Sequence, residues 1–245
     1  MSKIIVITGA GEGLGRALAR RFAADGDNVV LLGRRLAKLE AVVAELGDRA
    51  MAVACDVSSP ESVKTAFAAI AKRHPRIDVL INNAAIYDPF LVAEATDDQI
   101  LTAIGTNLTG PILCTRAVIP MMGRGSHIIN VGSESVEMVY PFLTLYQSAK
   151  AGLERFSRAL YSELEPHGIR VTMIRAGQML DADKTWSGDP AVWGRFRDAA
   201  LAVGLDLAKR PISQVASVTG IFRAVIDFPQ DLQAAEVSLH AWASK

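Results

Sequence analysis

The chain has only two cysteines, Cys55 and Cys114, far apart and without a metal-ligand spacing. This excludes a disulfide scaffold and a zinc module, and the thiols are expected as small buried hydrophobes in a reducing compartment. Four histidines, His74, His127, His167 and His240, show no ligand pattern either, so no metal centre is expected. Net charge is also missing. Lys plus Arg and Asp plus Glu both come to 26, which leaves no electrostatic reason to expect a nucleic acid or an acidic membrane surface as partner. No apolar stretch reaches the ~18 residues of a membrane span, and the apolar run in MSKIIVITGAG is too short for a signal sequence. These absences point to a cytoplasmic protein acting on a small molecule.

Half of the 245 residues are apolar, which suits one α/β domain spanning 1–245 with a full core. Lys3 to Thr8 is a β-branched apolar run, followed by the loop Thr8-Gly9-Ala10-Gly11-Glu12-Gly13-Leu14-Gly15 and a helical pattern, RALARRFAADG. Strand, glycine loop and helix open a dinucleotide-binding unit: glycines let a pyrophosphate approach the amides at the helix N-terminus, where the dipole favours negative charge. The spacing is G-x-x-x-G-x-G rather than the commoner G-x-G-x-x-G.

The second strand, Asn28 to Leu32, ends in Gly33-Arg34-Arg35. An acid here would accept ribose hydroxyls, whereas arginine accommodates a 2′-phosphate. With two arginines and no acid, NADP is favoured and NAD is the alternative; the competing reading of Arg34 and Arg35 is that they cap the next helix, Leu36 to Leu46. A third strand, Ala50 to Ala54, leads to Asp56, which suits either the adenine or the turn and N-cap chemistry of Ser58-Ser59-Pro60. Ser59 to Arg73 reads as a helix. Val79 to Ile81 reads as a strand ending in Asn82-Asn83, which either tie neighbouring loops together and border the adenosine or simply form a turn.

Thr96 to Met122 reads as one helix with Asn107 inside it and Pro111 four residues on. Proline removes the bond that would have engaged the Asn107 carbonyl, giving Asn107 a route into a proton relay. His127 to Val131 is a strand ending at Gly132-Ser133, and Tyr146 and Lys150 sit four apart on the helix that follows, one turn from each other. A neighbouring ammonium favours the phenolate and would bring Tyr146 toward working pH, with Ser133 placed to hold the same substrate oxygen. The chain continues as helix to about Glu165, as strand Ile169 to Ile174, as a Ser213-capped helix to about Ile226 and as a last strand, Glu236 to Leu239. Such alternation implies a doubly wound parallel sheet with helices on both faces and a crevice at the strands' C-terminal ends.

Together, T-G-x-x-x-G-x-G at Thr8 to Gly15, N-N-A at Asn82 to Ala84, Asn107, Ser133 and Tyr146-x-x-x-Lys150 resemble the short-chain dehydrogenase/reductase family, in its compact single-domain branch, over residues 3 to about 177. The resemblance implies a Rossmann fold and hydride transfer between NADP(H) and a carbonyl or alcohol. It implies that Tyr146 is the general acid in reduction or base in oxidation and that Ser133 holds the substrate oxygen. Lys150 would bind the nicotinamide ribose and lower the Tyr146 pKa, with Asn107 fixing a relay water. It sets Gly9, Gly13, Leu14 and Gly15 around the pyrophosphate, and Asp56 and Asn83 at the adenosine. Glu12, Arg34, Arg35, Val57 and Gly177, with Tyr146 and Lys150, complete the cofactor cradle. It also implies a homodimer or homotetramer paired through the helices of Asn107 and Tyr146.

The chain departs from the family pattern at four places. N-N-A-G reads Asn82-Asn83-Ala84-Ala85, P-G reads Ala176-Gly177, and a basic residue common before the second loop glycine in NADP enzymes is Glu12. The threonine often found four residues after Gly177, which helps seat the nicotinamide carboxamide, is Asp181. Glu12 weakens the NADP reading without reversing it, because Arg34 stands where that reading needs it. The changes at Ala85, Ala176 and Asp181 favour the rival reading of a nucleotide-sensing protein without turnover, and the retention of Ser133, Tyr146 and Lys150 counts against it. By the same resemblance, about 178–212 forms a substrate lid, broken up by Gly188, Pro190 and Gly204 and carrying Trp186, Trp193 and Phe196. If these rings join Tyr140, Phe142 and Met179, the substrate is apolar or aromatic. The sequence aims no cation into that pocket.

Overall fold

Alternation within the short apolar runs builds the sheet. In β1 (Ile4–Thr8), Ile5 and Ile7 pack on one face and Val6 on the other. In β2 (Asn28–Gly33) Val29 and Leu31 oppose Val30 and Leu32, and in β4 (Val79–Asn82) Val79 and Ile81 oppose Leu80. A strand that is apolar on both faces needs cover on both, as parallel crossover connections provide. With β3 (Ala50–Ala54), β5 (His127–Ser133), β6 (Arg170–Ala176) and β9 (Glu236–Ser238), the computed structural model, which describes residues 2–181 and 189–242, forms a seven-stranded sheet. Its order is β3-β2-β1-β4-β5-β6-β9, and every neighbouring pair is parallel.

Helices α1 (Gly13–Ala24), α2 (Leu36–Leu46) and α8 (Val215–Ile226) cover one face through Leu18, Phe22, Leu39, Val42 and Phe222. Helices α3 (Pro60–Arg73), α5 (Gly110–Val118) and α6 (Thr144–Leu164) cover the other through Phe67, Ile70, Leu113 and Leu160. Strand order reverses between β1 and β4, so the loops after these two strands part above the sheet and leave a crevice. Both cysteines are buried and unpaired, and burial pushes the Cys55 thiol up to about 11 and Cys114 higher still, so both are inert. Among the described residues, no helix is long and apolar enough to cross a membrane.

Two expectations fail for local reasons. The single helix over Thr96 to Met122 is divided into α4 (Asp97–Ile104), which starts at a Thr96–Gln99 capping box, a π-helical turn (Gly105–Thr109) and α5. Pro111 has no N–H for the regular ladder, and the Gly110 amide bonds back to the Gly105 carbonyl, so the turn takes up one extra residue. Ser213 is not a helix cap. Ser213–Gln214 form a short strand, β8, paired in parallel with β7 (Met179–Leu180), and α8 begins without a side-chain cap.

Candidate active site

The crevice is walled on one side by the glycine loop. Gly13 has φ 58, the left-handed region that favours glycine, and opens α1. Gly15 is required by packing, because a Cβ there would lie 2.4 Å from the Gly9 carbonyl oxygen. Leu14 turns into the core. Above Gly13, among the described residues, stands one group: the Asp181 carboxylate accepts the Gly13 amide at 2.8 Å and lies 3.4 Å from the Arg16 guanidinium. Asp181 therefore stands over the glycine loop.

The loop after β4 is laced to this one. Asn83 and Ala84 donate their amides to the Thr8 hydroxyl at 3.0 and 2.9 Å, and the Asn83 side chain donates to the Thr8 carbonyl at 2.9 Å. Asn82 bonds Asn130 at 2.8 Å, and Asn130 bonds Ser157 at 2.8 Å, linking β4, β5 and α6 in a buried polar chain. These bonds tie the neighbouring loops together, beyond what a local turn would need. The Asp56 carboxylate accepts from the Ser58 amide and hydroxyl at 3.0 and 2.7 Å, which is turn chemistry, and Ser59 caps α3. Val57 is buried against Gly110. Gly177 allows a close approach of the C-terminal segment, since a Cβ there would be 2.6 Å from the Leu239 carbonyl oxygen.

Beyond β2, Arg34 is exposed and makes no ion pair among the described residues. Arg35 is held to Glu12 at 2.7 Å, and Lys38, which the sequence reading passed over, reaches the same Glu12 oxygen at 2.7 Å. Burial pushes the Glu12 carboxyl up, but Lys38 and Arg35 outweigh it and hold the group below its ordinary value.

On the other side of the crevice β5 ends in Ser133. Its hydroxyl oxygen accepts the Ser135 amide at 3.2 Å, which leaves its own O–H to be donated. Tyr146, on the first turn of α6, is half-buried beside it. Lys150 is 2 % exposed and donates to the Val131 carbonyl at 2.8 Å, with its nitrogen 5.8 Å from the Tyr146 ring centre. The expected depression of the Tyr146 pKa by Lys150 is reversed: burial pushes the phenol up, and the Ser133 hydrogen bond offsets only part of this. The same desolvation brings Lys150 down to about 8. Asn107, fully buried in the π turn, accepts from the Ile86 amide at 3.2 Å and donates to the Ile86 carbonyl at 2.9 Å, pinning the loop after β4.

That loop delivers Tyr87, which sequence reasoning missed. Its ring is edge-on to Tyr146 at 5.2 Å, stacks on Trp193 of α7 (Pro190–Ala202) at 6.0 Å and meets Phe196 at 6.3 Å. Tyr140 and Phe142 close the cluster. Phe142 has φ 67, strained for a non-glycine residue, and is held there beneath the Arg195 guanidinium. Trp186 and Gly188 lie outside the described residues. A cation does reach the pocket wall, against expectation: Arg210 lies 5.8 Å over the Tyr140 ring and bonds Glu134 at 2.7 Å. Glu134, next to Ser133, also accepts the Gln178 amide at 3.1 Å, so it fixes the end of β5 to the chain after β6. The signal for Arg210 was its place beside Pro211 at the far end of the 178–212 segment, but nothing in the sequence gave its direction.

The residues therefore fit a dinucleotide: a helix N-terminus at a reversal of strand order that its own N-cap residue, Glu12, leaves uncapped, a glycine that opens it, and a basic cluster one strand away. Among the described residues no cluster of three or more His, Cys, Asp or Glu could hold a metal ion. Comparison with known proteins gives the same class. The chain matches the short chain dehydrogenase family over residues 3–188. It is 39% identical over 183 residues to a sulfoacetaldehyde reductase of Chromohalobacter salexigens, covering 72% of each chain. It is 37% identical over 180 residues to an NADP-dependent 3-hydroxy acid dehydrogenase of Salmonella typhi, covering 71% of each. In solved structures it resembles a closed form of serine dehydrogenase complexed with NADP+, with TM-score 0.83, 27% identity, and coverage of 99% of this chain and 98% of that one.

Proposed function

The chain belongs to the short chain dehydrogenase family, and from that premise we propose that it transfers a hydride between NADP(H) and the carbonyl or alcohol carbon of a small molecule with an apolar or aromatic substituent. The dinucleotide, when bound, supplies or accepts the hydride. The chain's own residues manage the oxygen and its proton. In reduction, Tyr146 gives its phenolic proton to the oxygen as charge develops there, and Ser133 donates a hydrogen bond to the same atom. A phenol held above its ordinary pKa is protonated at neutral pH, which suits the reductive direction. Lys150, still largely charged below pH about 8, steadies the phenolate left behind.

The observation that carries this reading is the juxtaposition of Ser133, Tyr146 and Lys150 beneath an aromatic wall of Tyr87, Trp193 and Phe196. The wall supports the substrate class, because rings packed this closely exclude water from the carbonyl and reward an apolar neighbour. The relatives' names include a hydroxy acid and a sulfonated aldehyde, so the decisive assay is a panel of aryl, alkyl and acidic carbonyls with NADPH. Tyr146→Phe should lower reduction by about 10²–10⁴-fold while leaving the calorimetric affinity for NADPH unchanged. Turnover close to wild type in that variant would place the proton elsewhere, and a preference for acidic over aryl carbonyls would overturn the substrate class. We further infer that about 178–212 serves as the lid and that the protein works in the cytoplasm as a homodimer or homotetramer paired through α4, α5 and α6, where Leu101 is 71% exposed. A monomeric sedimentation profile at micromolar concentration would remove the pairing.

A further inference from the structure

Both phosphate-binding stations of the crevice already carry a carboxylate belonging to the chain. At the first, Asp181 accepts the Gly13 amide at 2.8 Å and lies 3.4 Å from Arg16. This is not ordinary helix capping. The N-cap residue of α1, Glu12, makes no side-chain cap and the first turn holds no acid, so the anion at this N-terminus comes from 168 residues away. Among the described residues, the carboxylate of Asp181 is what a Cβ on Gly13 would approach, at 4.0 Å. At the second station, Glu12 engages Arg35 and Lys38 through one oxygen, 2.7 Å from each.

We propose that these two carboxylates are internal competitors of the cofactor's phosphates, and that Asp181 in particular sets the affinity for the dinucleotide. The inference rests on the dinucleotide reading above and gives Asp181 a role different from that of the threonine which the family pattern has at this position. Two anions cannot share one amide at hydrogen-bond distance, because like charges that close strongly disfavour each other. Asp181 must therefore leave Gly13 before a pyrophosphate oxygen can accept the same hydrogen, and Arg16 changes partner with it. β7, which immediately precedes Asp181, is held by β8, so the exchange needs no movement of that strand. Glu12 acts at the other end of the same ligand. Its release from Arg35 and Lys38 matters only to a cofactor that bears a 2′-phosphate, since both cations lie beyond β2 beside Arg34.

The two stations differ in strength. Asp181 and Arg16 have side chains 14% and 17% exposed, whereas Glu12, Arg35 and Lys38 are 38% to 61% exposed, and exposed pairs are worth little. Calorimetric titration of NADPH and NADH separates the roles. Asp181→Asn, which keeps an acceptor for Gly13 but removes the charge, and Asp181→Ala, which removes both, should each tighten both dinucleotides by about tenfold and by the same factor. Glu12→Gln should tighten NADPH by about threefold and leave NADH unchanged. Unchanged or weaker binding of both dinucleotides in both Asp181 variants, with wild type binding normally, overturns the proposal and makes Asp181 a positioning residue of the loop. If wild type binds neither dinucleotide at millimolar concentration while Asp181→Asn binds both, the competition is established in its strongest form. If no variant binds either, the dinucleotide reading itself has failed.

Discussion

Tyr87 stands edge-on to Tyr146, with ring centres 5.2 Å apart and planes at 79°. Because burial is the main influence raising the Tyr146 pKa, the ring that covers it is a control on its acidity. Tyr87→Ala should admit water and move the ascending limb of the pH profile for alcohol oxidation, where Tyr146 loses its proton to act as base, to lower pH. Tyr87→Phe, which keeps the ring, should leave it in place. Coincident profiles for the Ala variant and wild type would assign the burial to other neighbours.

Lys150 carries a stability penalty of opposite sense to its chemical use. Its pKa falls from 10.5 to about 8 on folding, so between these values the unfolded chain binds more protons and stability rises with pH. Below pH about 8 the penalty is complete. Lys150→Met should therefore stabilise the fold at pH 7 by about 1–3 kcal/mol, less what is lost by stranding the Val131 carbonyl, and abolish turnover. Thermal unfolding at pH 7 and 9.5 tests this: the gain should shrink at the higher pH.

Arg34 and Arg35 are adjacent in sequence but not equivalent. Arg35 is already paired with Glu12, so Arg35→Ala should cost NADPH less than about threefold. Arg34→Ala should weaken NADPH by about tenfold and spare NADH. Equal losses in titrations of the two variants would mean that Glu12 releases Arg35 at no cost.

His127 is 2% exposed and bonded to Thr172 at 2.8 Å, and burial lowers its pKa from 6.5 to about 3. It therefore contributes stability that is intact above pH 6.5 and is lost as pH falls toward 3, at up to about 1.4 kcal/mol per unit. His127→Gln should flatten the decline of the urea midpoint between pH 6.5 and 4.5. Parallel declines in the two proteins would point to carboxylates instead.

Strands and helices of the sheet were legible because their apolar periods are unambiguous: Leu36 to Leu46 and Ala50 to Ala54 stand where the sequence pattern sets them. The places of the glycine loop at the start of α1, of Ser133 at the end of β5 and of Tyr146 and Lys150 one turn apart on α6 were legible from local pattern. Long-range partners were not. Asp181 meets Gly13, Arg210 meets Glu134 and Tyr87 meets Trp193 across the crevice, and no local pattern records which side chains converge once the sheet has formed. The balance of forces on Tyr146 was hidden for the same reason, since spacing reveals the neighbouring ammonium but not how much water the surrounding rings remove.

The extra residue in the turn Gly105–Thr109 also sets the phase of everything after it. An α-helix advances 100° per residue, so a regular helix through this region would rotate Asn107 relative to the residues that follow and could not present both Asn107 to Ile86 and Cys114 to the core. The irregularity acts as an angular spacer. It lets one continuous stretch of chain serve two faces, the crevice through Asn107 and the sheet through Cys114.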